Sequence, residues 1–206
     1  DGRVINDPAW ESLQGINTFI QKSPDEGEAV TERTVVKVMY STNKLYIAAV
    51  CYDANPEKIV ITDTRRDAPL NNTDSFMFIL DTFQDQQNGY VFGTNAGGIE
   101  YDAQVSKGGE GMSISIRRQS VGTGDAFNIN WDAVWEVKSQ KGDFGWSAEF
   151  AIPFKTLRYA TNKDQSWGIN FERVIARKKE EAHWSPTSRQ HTMNRLVSAG
   201  TLTHMN

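Results

Sequence analysis

Two tryptophans stand among polar neighbours: Trp131 between Asn130 and Asp132, and Trp184 between His183 and Ser185. Arg173 and Arg177 lie four residues apart in a stretch of strand character, a spacing that puts both side chains on one face. An indole is a flat apolar platform, and a guanidinium fork holds two vicinal hydroxyls or one carboxylate at once. The combination fits a ligand with an apolar face and a polar rim. Arg66, Asn95, Arg118 and Glu180 are further polar candidates, and Trp135 a further platform. Trp135 lies between Val134 and Glu136, so core and surface are both open to it, and Arg173 and Glu180 can equally pair with each other or with Glu172. Trp146 and Trp167 fall on alternating apolar faces and belong to a core, while Trp10 is expected to anchor the N-terminal segment.

Asp81, Asp85 and Asn88 gather behind an apolar run, and hard cations such as Ca²⁺ collect several such oxygens. Their spacing is not that of an EF-hand, and a solvated acidic turn is the alternative. His183 and His191 are eight residues apart, which matches no tight zinc pair. No Gly-x-Ser-x-Gly elbow or Walker loop is present. A glycosidase needs two carboxylates roughly 5–9 Å apart, and strand-borne Glu149 and Glu172 are no more than structural partners by sequence. Haem would need an axial His or Met facing a wide apolar cleft, for which Met77, Met112, His183 and His191 are available, although a strand Met more often packs a core. Cys51, the single cysteine, sits behind an apolar run and reads as a small buried hydrophobe.

These residues need a scaffold, and bulk properties bound it. The chain has 206 residues, six of them Trp, and 38 % are hydrophobic, enough for a sizeable core. A net charge of -4 and a pI near 5.4 argue against nucleic acid and against anionic membrane. No apolar stretch approaches the roughly 20 residues of a spanning helix. The opening Asp1-Gly2 leads us to expect a trimmed chain, with which a removed signal peptide is compatible.

Period-two alternation dominates. Val35–Tyr40 and Leu45–Cys51 flank a Ser41-Thr42-Asn43 turn, as in a hairpin. Phe76–Leu80 is apolar at every position and predicts a central strand covered on both faces. Tyr90–Phe92, Ile99–Val105, Met112–Ile116, Ala133–Val137, Trp146–Ile152 and a long strand from Trp167 to Arg177 complete the pattern. Pro153–Leu157 can form one helical turn, and residues 23–32 and 107–131 read as loops. Many short strands with Gly, Asn and Asp turns, and no sustained helical period, predict a single all-β domain over residues 1–206. The architecture expected is an antiparallel, jelly-roll-like β-sandwich.

The order of several motifs carries a resemblance. Asp1-Gly2-Arg3 with Asp7-Pro8-Ala9-Trp10, Leu45-Tyr46 with Asp53, and Asp74-Ser75-Phe76 to Asp81 resemble the family-nine carbohydrate-binding modules. Gly145-Trp146 through Glu149 to Ile152-Pro153 and Trp167-Gly168-Ile169-Asn170-Phe171 with Arg173 extend the likeness along nearly the whole chain. Arg65-Arg66-Asp67, Asp81-Thr82-Phe83, Asn88-Gly89-Tyr90 and Arg177 through Glu180 to Trp184-Ser185-Pro186 are similar to the variant that precedes an outer-membrane β-barrel in bacterial proteins. The resemblance implies a non-catalytic, monomeric sugar binder, secreted, periplasmic or outer-membrane associated, with structural Ca²⁺. Its relatives by fold also include haem binders, and docking onto the downstream barrel is a third use of the same scaffold.

Overall fold

The computed structural model describes residues 1–109, 126–161 and 164–205. The predicted strand at Met112–Ile116, and with it Arg118, lies outside the described residues. Twelve strands form among the described residues, the longer ones on apolar side chains two apart: β1 (Ile20–Ser23), β2 (Thr34–Tyr40), β3 (Lys44–Tyr52), β4 (Ser75–Asp81), β5 (Gly89–Asn95), β6 (Tyr101–Val105), β7 (Phe127–Asn128), β8 (Glu136–Gly142), β9 (Gly145–Pro153), β10 (Gln165–Ile175), β11 (Glu180–His183) and β12 (Gly200–Met205). A single helical turn, α1 (Pro8–Glu11), is capped by Asp7, whose carboxylate accepts from Ala9 N at 2.8 Å.

The strands form two antiparallel sheets. The larger runs β1-β11-β10-β4-β5-β6-β7, with β12 also paired to β10; the smaller runs β2-β3-β9-β8. Between them Phe76, Phe78, Phe92, Phe150 and Phe171 interlock, with Phe78 edge-on to Phe150 at 5.1 Å. The sandwich is the predicted fold. β4 is buried at every position, as its unbroken apolar run requires. One face meets the smaller sheet, and the other packs Met77 and Ile79 against Leu70, Met193 and Leu196.

Two boundaries depart from expectation, and both move a candidate site residue. The strand expected at Ala133–Val137 starts at Glu136 and continues to Gly142. The Ala133 N–H is taken by the Asp102 carboxylate at 2.8 Å instead of a neighbouring strand. β10 ends at Ile175, and Ala176–Lys178 coils into a 3-10 turn closed by Lys179 at φ 53°. Arg173 and Arg177 therefore do not share a strand face.

Candidate functional site

Arg173 points between the sheets and is 2 % exposed. Its guanidinium donates to Arg33 O at 2.9 Å, Thr34 Oγ1 at 3.1 Å and Tyr52 O at 2.6 Å, tying β10 to the ends of β2 and β3. Arg177, on the 3-10 turn, clamps Asp53 through both terminal nitrogens, at 2.5 and 2.7 Å. Burial pushes the Asp53 carboxyl up, but Arg177 and the Asn55 N–H outweigh it and hold it below its ordinary value. Neither arginine offers a free fork, so the paired-arginine reading is corrected: both fasten one end of the sandwich.

The tryptophans separate as well. Trp135 is 4 % exposed, stacked on Phe150 at 5.8 Å and edge-on to Phe92, and is core rather than platform. Trp184 is half-buried, tilted against Phe171 of β10 and resting where a side chain on Gly200 of β12 would stand. Trp131 is half-buried against Tyr90, at 4.9 Å, and Phe92 of β5. Trp131 thus packs on β5 and Trp184 on β10, with β4 between the two strands.

Of the other polar candidates, Glu180 is 2 % exposed and accepts from Thr31 N and Oγ1, an internal tie. Asn95 is buried and closes its own turn, accepting from Gly97 N and donating to Asp63 O. Arg66 alone among the described ones remains part-exposed, and it meets four carboxylates: Glu100 at 2.7 Å, Asp102 at 2.7 Å, Asp132 at 2.6 Å and Asp67 at 3.5 Å. Burial disfavours its charge, yet the carboxylates outweigh that and raise its pKa. Asp132 is the chain neighbour of Trp131, so the Arg66 cluster lies one residue along the chain from that indole. The acidic partners were missed in the sequence, although Glu100 and Asp102 flank Tyr101 at the period-two spacing of one strand face.

The Asp81–Asn88 turn is occupied by its own donors. Asp81 Oδ1 and Oδ2 accept from the Asp85 and Gln86 N–H groups, at 3.2 and 2.8 Å. Asp85 Oδ1 accepts from Gln87 N and Asn88 N, and Asn88 turns its amide nitrogen, not its oxygen, to Asp85 Oδ2 at 3.0 Å. Ca²⁺ takes about six to eight oxygens, and this donor-closed turn does not fit it. Burial, aided by the charge of Asp85, raises the Asp81 pKa. For haem, Met77 packs in the outer core at 8 % exposure, and Met112 lies outside the described residues. His183 is fully buried with both ring nitrogens engaged, and half-buried His191 is set apart in the segment after β11. Cys51 is buried and its thiol is pushed up to about 11, as an inert hydrophobe would be.

A two-sheet sandwich with a half-buried indole next in the chain to a charged rim is the build of a binding module. The comparisons agree with that class. Residues 1–194 match the carbohydrate family 9 binding domain-like family, a family of non-catalytic binding modules, and the chain belongs to it. A putative carbohydrate-binding protein from Bacteroides uniformis superposes with a TM-score of 0.68 at 12 % identity, over 93 % of this chain and 86 % of that one. A family 9 module from Caldicellulosiruptor kristjanssonii, solved with cellotriose, gives a TM-score of 0.63 at 17 % identity, over 98 % and 87 % of the two chains. The same kind of module from that organism, solved with glucose, gives 0.58 at 16 %, over 98 % and 88 %. At these identities the superpositions establish the fold. No curated protein sequence matches the chain.

Proposed function

We propose that this domain binds a carbohydrate on the surface formed by Trp131, Arg66 and Asp132, without acting on it. One observation carries the reading: Trp131, half-buried on Tyr90, stands next to Asp132, which is 80 % exposed in its side chain and bonded to Arg66. A pyranose C–H face packs on an indole, and its hydroxyls donate to carboxylates held rigid by a guanidinium. Asp132 and Glu100 are held in that way, so little ordering entropy remains to be lost on binding. Glucose and cello-oligosaccharides, the ligands of the Caldicellulosiruptor modules, are the first probes to try.

The experiment is calorimetric titration of the wild-type domain and of Trp131→Ala with cellotriose, followed by a glycan array. Saturable binding that Trp131→Ala abolishes supports the assignment; binding retained in Trp131→Ala moves the site to Trp184. We further propose that the domain works as a monomer outside the cytoplasm. Its likeness to modules that precede an outer-membrane β-barrel is the support for a secreted or envelope setting. Fractionation of the native host, with antibody to this domain, tests that placement.

A further inference from the structure

Two buried charged side chains at the Asn95 end of β5 each keep one polar atom without a protein partner. Arg173 spends its terminal nitrogens on Arg33 O, Thr34 Oγ1 and Tyr52 O, but its Nε has no hydrogen-bond partner among the described residues, at 2 % exposure. Asp74 is fully buried just before β4. Its Oδ2 accepts from Val60 N at 2.9 Å, whereas its Oδ1 accepts from no described residue. The Asp74 main chain is tied on both sides, N donating to Val60 O at 2.8 Å and O accepting from Ala96 N at 3.0 Å, so the carboxylate is fixed in place.

The strand register brings the two side chains together. Arg173 of β10 is opposite Phe76 of β4, whose ring lies between the sheets. Asp74 precedes Phe76 by two residues, the alternation that returns to the same inner face, which puts it one diagonal step from Arg173. The Arg173 charge acts on the Asp74 carboxyl, and both charges act on the Cys51 thiol of β3. Among the described residues, however, no direct ion pair joins Arg173 to Asp74. Trp146, buried and opposite Cys51 in register, carries a further unpartnered donor, Nε1.

We infer that this place binds one internal water molecule, which accepts from Arg173 Nε–H, donates to Asp74 Oδ1 and so joins two separate ties into one network. The unpartnered atoms select the ligand. An N–H donor cannot ligate a cation, and a carboxylate repels an anion. A small neutral molecule that both accepts and donates satisfies the pair. Its second lone pair can take Trp146 Nε1–H, which gives it the about three bonds usual for a buried water. Leaving the atoms bare is the costly alternative, because an unmet buried polar group carries its full desolvation cost, and more so when charged. The network has a consequence for the fold. Arg173 holds β10 to the ends of β2 and β3, and Asp74 holds β4 to Val60 and to Ala96 just after β5. Bridged by water, these ties close the Asn95 end of the sandwich, away from Tyr90 and the Trp131 that packs on it.

The test is a crystal structure of the wild-type domain at a resolution that shows ordered solvent, with NMR of the same domain in solution as its second arm. The expected result is a single water within about 2.7–3.2 Å of both Arg173 Nε and Asp74 Oδ1. In solution the Arg173 Nε–H should show a cross-peak to a water that stays bound longer than the domain takes to tumble. That cross-peak should vanish in Asp74→Leu, which removes the acceptor; if this variant does not fold, the two wild-type measurements decide. A direct bond between Arg173 Nε and Asp74, an ion in the water's place, a water bonded to one of the two atoms alone, or no water at either overturns the site.

Discussion

Removing the Arg173 side chain separates a structural arginine from a ligand-binding one. Three acceptors depend on it: Arg33 O, Thr34 Oγ1 and Tyr52 O. Arg33 O keeps a second bond, from Tyr52 N at 3.0 Å, and loses least. Leaving the other two short of a donor costs about 1–3 kcal/mol each. The buried carboxyl of Asp74 also loses the nearby charge that opposes the effect of burial on it. Together these bring Arg173→Ala to about 3–5 kcal/mol, the usual cost of deleting one member of a buried charged pair. That is a large share of the roughly 5–15 kcal/mol that holds a domain together. Arg173→Met keeps most of the volume and isolates the polar part, about 2 kcal/mol or more on the same per-group figure. Urea unfolding followed by tryptophan fluorescence measures both, with an unchanged m-value as the check that only stability moved. A loss within about 0.5 kcal/mol, the range of ordinary surface substitutions, would refute the internal role of Arg173.

Three other outcomes follow from the same contacts. Asp53, held below its ordinary pKa of 3.8 by Arg177 and the Asn55 N–H against the opposing effect of burial, gives stability that is present above pH 3.8 and lost as pH falls through its lower folded value. The stability gap between wild type and Asp53→Asn should stay constant from neutral pH to about 4 and close below it; a gap that persists to the acid limit of the fold contradicts this. Gly200→Ala drives a methyl into the Trp184 ring and should cost about 1–3 kcal/mol, as overpacking does; an unchanged melting temperature would place Trp184 off β12. EDTA should leave the melting temperature unchanged, because the Asp81–Asn88 turn is closed by N–H donors. A calcium-dependent rise of several degrees, the signature of a ligand bound to the native state alone, would contradict that closure.

The strands were legible because alternation is local: Trp146, Ala148, Phe150 and Ile152 mark one face of β9 from the chain alone. The unbroken apolar run of β4 likewise announced a strand covered on both sides. Short or polar strands were not legible. β11 and β12 take their faces from β10 and β1 takes its face from β11, and Glu180–His183 reads as charged surface until Glu172 is set opposite His183. The site suffered more, since an arginine's role depends on acceptors far away in the chain. Arg177 meets Asp53 across 124 positions, and Arg173 meets Tyr52 across 121. The four-residue spacing of the two arginines held meaning only if β10 continued, and the turn at Ala176–Lys178 ends it. Trp131 kept its place among the candidates because its neighbours, Asn130 and Asp132, report exposure locally.

The most direct test of the central claim is calorimetric titration of the wild-type domain with a panel of soluble oligosaccharides, repeated for Trp131→Ala, Asp132→Asn and Trp135→Ala. The account predicts saturable binding to at least one sugar, weakened at least tenfold in Trp131→Ala and Asp132→Asn while both melt cooperatively. Trp135→Ala should instead lose about 3–5 kcal/mol of stability, as large aromatic truncations in cores do. Binding unaffected by Trp131→Ala and Asp132→Asn, or absent from every sugar in a folded wild-type domain, would contradict the claim.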